Sequence, residues 1–391
     1  MTISPHSQPT RRNRWKALAL LPLVAGASVV AASSVSAKPD PPCGALEALP
    51  PERFLDTRPG LFTPDRYQRL QIAGVGDVPD DAKAVIINVA AVEAEAAGFV
   101  SVVPAGSSTG EPETSNLNID GPGITIANSA IIPLSEDGAI DIYSSTSAAI
   151  LIDVLGYVPE CGDYSVIDLE RASDSRPDGT PAGSTTTVDV VGDFGDPEAE
   201  LVIINLTLVD SGGAGFLTVY PSGGEFPPTS NLNVNAAGQT RAGLAIVPIG
   251  ENDSIEVFND VEGSILVDVL GYLGADSGFT GLDPFERLVD TRASGERVEA
   301  DSELSFDVAD SDDVPATANF LLINVTAVEA SNAGFVTVWP GGLDQPEASN
   351  LNYPEDGTIA NTVLVPIGAD GTVNIYTQSE IDLLVDIIGY L

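Results

Sequence analysis

Histidine occurs once, as His6, inside a stretch that reads as an export signal. The chain beyond it has none. That excludes a Ser-His-Asp triad, a Cys-His pair and histidine-ligated zinc. Basic residues are almost as scarce. Residues 10–16 (T-R-R-N-R-W-K) hold four of the 16 Lys+Arg, so 12 remain against 57 Asp+Glu, a net charge of −45 once residues 1–37 are removed. Lys38 and Lys83 are the only lysines left. Nucleic acid needs a basic surface to release counterions, so it is not an expected partner, nor is an anionic membrane. The acidity serves solubility; adaptation to a salty medium, where repulsion is screened, and binding of divalent cations are the other readings. Cysteine occurs twice, as Cys43 and Cys161. Long hydrophobic runs are missing beyond residue 37, so no integral span is expected there. Convincing helical periodicity is missing as well.

Residues 1–37 read as a signal peptide: a basic region, an apolar run from Ala17 to Ala32, and the small-residue site Val35-Ser36-Ala37. Arg11 and Arg12 are similar to a twin-arginine signal, but Arg14 stands where an aromatic residue is usual. Both the general and the twin-arginine export routes therefore stay open. The expected location is extracellular or at the cell surface.

What is present is a repeat. Ile150–Tyr157 (I-L-I-D-V-L-G-Y), Ile265–Tyr272 (I-L-V-D-V-L-G-Y) and Leu383–Tyr390 (L-L-V-D-I-I-G-Y) close three units spanning 43–160, 161–275 and 276–391. Each contains about eight short runs rich in Val, Ile, Thr and aromatics, parted by Gly, Pro, Asn and Asp turns. The period is far above that of a solenoid or a propeller blade. The expectation is all-β: three tandem β-sandwich-like domains of about eight strands each, with small β-barrels as the alternative.

The pattern R-L-x-D-T-R, I-N-V-T-A-V, G-F-V-T-V-W-P, S-N-L-N and V-D-V-L-G-Y resembles a tandem β-repeat domain of secreted bacterial proteins, often appended to extracellular hydrolases. The resemblance implies an accessory or surface module. It carries no catalytic residues onto this chain.

Several residues could carry chemistry. Asp153, Asp268 and Asp386 lie among apolar neighbours, and a buried carboxylate needs a partner. The arginines of D-T-R and D-S-R recur near the start of each unit, so the expected pairs are Arg58–Asp153, Arg176–Asp268 and Arg292–Asp386. Cys43 and Cys161 flank the first unit, and a disulfide between them is expected in a secreted chain; closing so long a loop stabilises by about 4–5 kcal/mol. Asn88, Asn205 and Asn324 share one central-strand position. The asparagines of S-N-L-N (Asn116, Asn118; Asn231, Asn233; Asn350, Asn352) share two more. They serve either backbone groups or sugar hydroxyls. Tyr220, Trp339, Asn128 and Asn361 are the possible ligand contacts. Asp77, Asp80, Asp81, Asp310, Asp312 and Asp313 lie in acidic turns and are weak calcium candidates, without the spacing of an EF-hand loop; no other cofactor is expected.

Enzyme motifs are thin. Asp210-Ser211-Gly212 is similar to an aspartic-protease triplet but has no counterpart in the other units. No carboxylate pair stands out for glycoside hydrolysis. The expected function is a non-enzymatic, structural or adhesive role at the cell surface or in the extracellular matrix. A carbohydrate- or cell-wall-binding protein is the alternative, and a hydrolase of unrecognised type comes third. The expected partner is an extracellular glycan, a cell-wall component or another copy of the chain.

Overall fold

A computed structural model describes residues 46–391, apart from 113, 163, 193–194, 196–197, 228 and 275–276. Residues 1–37, read as an export signal, and Cys43 lie outside the described residues. Repeat 1 forms β1 (Glu47–Asp56), β2 (Arg66–Gln71), β3 (Ala84–Val92), β4 (Gly98–Pro104), β5 (Leu117–Ile119), β6 (Ile126–Pro133), β7 (Ala139–Ser144) and β8 (Ala149–Val158). Repeat 2 forms β9 (Tyr164–Asp174), β10 (Ser184–Asp189), β11 (Ala199–Val209), β12 (Gly215–Pro221), β13 (Leu232–Val234), β14 (Arg241–Pro248), β15 (Ser254–Asn259) and β16 (Ser264–Gly274). Repeat 3 forms β17 (Thr280–Asp290), β18 (Ser302–Asp307), β19 (Phe320–Val328), β20 (Gly334–Pro340), β21 (Leu351–Tyr353), β22 (Ile359–Pro366), β23 (Thr372–Thr377) and β24 (Asp382–Tyr390).

Every repeat folds its eight strands into two four-stranded antiparallel sheets. The first sheets are ordered β1-β8-β3-β6, β9-β16-β11-β14 and β17-β24-β19-β22. The second are β2-β7-β4-β5, β10-β15-β12-β13 and β18-β23-β20-β21. First and last strands of each repeat are therefore hydrogen-bonded neighbours, as the closing motif suggested.

The repeats are not three separate β-sandwich domains, and this corrects the expectation. Six small sheets build one body, the sheet count of a six-bladed propeller, with the sheets coming in pairs. The reason lies in the central strands. β3 is buried on both faces, and its alternate residues enter two different cores. Val85, Ile87, Val89 and Ala91 join a core made by both sheets of repeat 1. Ala84 and Ile86 point the other way, into a second core. β11 divides its residues likewise, Val202, Ile204, Leu206 and Leu208 against Leu201 and Ile203. In β19, Leu321, Ile323, Val325 and Ala327 face the repeat's own core and Leu322 the shared one. The shared core draws on all three repeats, adding Leu155, Leu270 and Ile388 from the closing strands. A continuous apolar run is the mark of a strand with no solvated face, and here the second face is covered by the other repeats.

The glycine of the closing Gly-Tyr has a steric cause. A Cβ on Gly156 would lie 2.4 Å from the Glu47 carbonyl oxygen, and one on Gly389 would lie 2.5 Å from that of Thr280. Only glycine lets the first strand approach this closely. The register slips by one residue at the same place, between Ile86 and Ile87 opposite Gly156 and Val154, which is how a bulge bends a strand.

Candidate functional site

The polar residues that recur once per repeat assemble at the seams between repeats. Asp153, Asp268 and Asp386 are buried in the closing strands. Their partners are not Arg58, Arg176 and Arg292, as expected, but the arginines five residues earlier. Arg53 Nε donates to Asp153 Oδ1 at 2.7 Å and Nη2 to Oδ2 at 3.0 Å. Arg171 makes the same fork to Asp268 at 2.7 and 3.3 Å, and Arg287 to Asp386 at 2.7 and 2.9 Å. The cause is register: Arg53 stands directly opposite Asp153 across β1 and β8, and Arg287 opposite Asp386 across β17 and β24. Burial pushes the Asp153 and Asp386 carboxyls above their ordinary value, and the facing arginine opposes that shift.

Arg58, Arg176 and Arg292 fork instead onto the aspartate of their own D-T-R or D-S-R. The shortest contacts are 2.5 Å to Asp56, 2.5 Å to Asp174 and 2.8 Å to Asp290. These side chains are half exposed, at 49%, 48% and 47%. The hydrogen-bonded Arg292 pulls Asp290 down to about 2, and Arg58 and Arg176 lower Asp56 and Asp174 further. The inner arginine also reaches this aspartate, as Arg287 does Asp290 at 3.5 Å. Each seam thus carries two guanidiniums matched by two carboxylates.

The asparagines serve backbone groups. Asn205 Nδ2 donates to the Ser115 carbonyl at 3.1 Å, Asn324 to that of Ser230 at 2.8 Å, and Asn88 to that of Ser349 at 2.6 Å. Repeat 2 thereby holds repeat 1, repeat 3 holds repeat 2, and repeat 1 holds repeat 3. The head-to-tail contact closes, as a heterologous interface must to avoid an open filament. Further bonds add to the seams. Asp120 pairs with the buried Arg241 at 2.9 Å, Asn235 Oδ1 accepts from Thr358 N at 2.8 Å, and Arg53 Nη2 donates to the Glu347 carbonyl at 2.5 Å.

S-N-L-N is wired internally. Asn116, Asn231 and Asn350 accept from Val102, Val219 and Val338 N, each at 2.7 Å. Asn118, Asn233 and Asn352 accept from the motif's own serine. Asn128 and Asn361, two of the possible ligand contacts, are buried and donate to the Asn116 and Asn350 carbonyls at 2.9 and 2.6 Å. Trp339, a possible ligand contact if exposed and a core residue if buried, is 1% exposed, with Nε1 donating to the Leu343 carbonyl at 3.0 Å. These three are structural. Tyr220 is half-buried and meets Phe226 edge-on at 5.6 Å.

Of the calcium candidates, Asp77, Asp80, Asp81, Asp310, Asp312 and Asp313 gather no metal-holding group of three; among the described residues no such cluster of His, Cys, Asp or Glu is found. Asp312 N instead donates to Glu286. No cysteine among the described residues is free, and the pairing of Cys161 with Cys43 stays an expectation. No described helix is long and apolar enough to cross a membrane.

Among the described residues, a cavity of about 420 Å³ is lined by residues of all three repeats, among them Ile124, Arg241 and Phe335, and two seams hold equivalent grooves. Between repeats 1 and 2 a cavity of about 220 Å³ is lined by Phe99, Ser115 and Asn118 on one side and Arg171, Arg176 and Asp268 on the other. Between repeats 2 and 3 the cavity is about 400 Å³, lined by Phe216, Phe226 and Asn233 facing Arg287, Arg292 and Leu384. Phe226 was missed in the sequence. Counting back from S-N-L-N, its place is taken by Glu111 in repeat 1 and Gln345 in repeat 3, and that break in the repeat was the available signal.

No family model matches the chain, and no curated protein matches it. Among solved structures, a chain from the atomic structure of Sulfolobus Turreted Icosahedral Virus is similar at a TM-score of 0.22 and 11% identity, over 89% of this chain and 91% of that one. A likeness so slight carries no weight for fold or function.

Proposed function

We propose that this is an exported, non-enzymatic protein with a structural or adhesive role at the cell surface or in the extracellular matrix. One observation carries the reading: the polar residues that recur in every repeat are spent on joining strands and closing the three repeats into one body. Repeated charged and amide side chains in a catalytic protein would converge on a reacting centre. Here Asn88, Asn205 and Asn324 converge on the neighbouring repeat's backbone. One body built of six sheets suits display or attachment. The acidity, export signal and expected Cys43–Cys161 disulfide agree with life outside the cell.

A second reading, carbohydrate binding, is favoured by the exposed Phe226 beside the arginines of the larger groove. The test is to incubate the purified protein with isolated cell walls and matrix fractions, and to measure its mass in solution across concentration, alongside a panel of polysaccharide and ester substrates. Retention or self-assembly without turnover is expected. Turnover of any substrate, or neither retention nor assembly, contradicts the reading.

A further inference from the structure

We infer that the groove between repeats 2 and 3 is a binding site for an uncharged glycan chain, with Phe226 as its stacking platform and Arg292 as its hydroxyl donor. The inference rests on the second, carbohydrate-binding reading and names the site and the ligand class for it.

Phe226 is 51% exposed, one of few large apolar side chains left in water. It is not loose. Its ring meets Phe258 edge-on at 5.0 Å and Tyr220 edge-on at 5.6 Å, and Phe258 in turn packs on Phe216 at 5.9 Å. Four aromatic rings thus brace one another on the outer sheet of repeat 2. Edge-to-face packing fixes ring orientation, so one face can be presented with little entropy left to lose on binding. An aromatic face meets the C–H face of a pyranose well.

Opposite lies Arg292, with Nε and Nη2 both held by Asp290. That fork fixes the guanidinium plane and leaves Nη1 without an acceptor among the described residues. A fixed planar donor beside a carboxylate offers what a pair of sugar hydroxyls needs: a donor and an acceptor side by side. The charge balance selects against an anion. Arg287 and Arg292 are matched by Asp386 and Asp290, and an anionic ligand would approach against the field of a strongly acidic chain. An uncharged glycan incurs no such cost. At about 400 Å³ the groove lies in the range of small-ligand sites.

The experiment is calorimetric titration of the purified protein with four uncharged hexasaccharides (cello-, chito-, xylo- and mannohexaose), and with hexagalacturonate as the charged counterpart. At least one uncharged chain is expected to bind, with affinity unchanged between about 0.1 and about 1 M NaCl. Phe226→Ala and Arg292→Gln are each expected to weaken it by about tenfold. Phe226→Ala should lower the melting temperature only by what two surface ring contacts contribute and keep a single cooperative transition, because the ring lies outside the core. Binding of hexagalacturonate alone overturns the proposal, as does hexasaccharide binding that survives Phe226→Ala. If the wild-type protein is retained on cell walls, binds no hexasaccharide, and Phe226→Ala is retained equally, the groove fails and the adhesive role stands. If nothing is retained and nothing assembles, the role itself fails.

Discussion

The groove between repeats 1 and 2 and the groove between repeats 2 and 3 share one frame and differ at the rim. The frame is an arginine fork on a buried aspartate, a second half-exposed arginine, and an asparagine clamp to the neighbouring repeat. At the rim, Glu111 of repeat 1 is replaced by Phe226 of repeat 2, and the cavity widens from about 220 to about 400 Å³. What recurs closes the body and, in the half-exposed arginine, gives these seams the same donor. What varies is the surface beside that donor. Residues held to the repeat pattern are thus the wrong place to look for specificity here, and residues that depart from it are the right one.

The comparison can be broken first at the frame, where the effects are largest. Arg171→Ala and Arg287→Ala each leave a buried carboxylate without its partner, a loss of about 3–5 kcal/mol. The two should agree within about 1 kcal/mol in urea unfolding; a wide difference would mean the seams are not equivalent. In the shared core, Ile203→Ala should cost about 2–5 kcal/mol, although Ile203 faces away from its own repeat's core. A cost near zero would mean that the repeats do not pack together as described. Asn205→Ala and Asn324→Ala come next. Each removes one amide donor and leaves a carbonyl short, about 1–2 kcal/mol by the same measurement.

Smaller again is the half-exposed arginine. Arg292 lowers Asp290 from 3.8 to about 2. A carboxylate lowered in the folded state contributes stability above its unfolded value and loses it as pH falls through the folded one. The melting temperature of the wild type should therefore exceed that of Arg292→Ala above pH 3.8, and the difference should shrink as pH falls through about 2 and vanish below it. Asp153 and Asp386 are raised rather than lowered, so their protonation on acidification favours the folded state. Comparing two variants at each pH removes that shared background. A difference that is flat with pH would show the Arg292–Asp290 pair to be irrelevant to stability. At the rim, Glu111→Phe should give the smaller groove a measurable affinity for the hexasaccharide that the larger one binds, without a change in melting temperature.

Much of the fold was legible in the sequence. Phe320–Val328 reads as a central strand and is β19 to the residue, because apolar β-branched runs between turn residues admit little else. The position of the closing strand beside the first was legible from the charged pair each must satisfy. The identity of the arginine was not. R-L-V-D-T-R offers Arg287 and Arg292 five residues apart, and only the register across β17 and β24 places Arg287 opposite Asp386. The second buried face of β3, β11 and β19 was written in apolar runs interrupted mainly by Asn88, Asn205 and Asn324, yet a single chain does not say which surface covers it. Trp339 and Phe226 show the same limit. An aromatic before a proline in a regular strand turned out buried, and an aromatic in a turn turned out exposed, because exposure is set by three-dimensional packing that residue type and local pattern do not give.

The claim that three repeats close into one body is met most directly by calorimetry of the whole protein. A single transition is expected, with calorimetric and van't Hoff enthalpies equal within about 10–20%, as for one cooperative unit. Three resolved transitions, or a calorimetric enthalpy about three times the van't Hoff value, would mean that the repeats melt one by one, and would contradict the shared core and the closed ring of asparagine clamps.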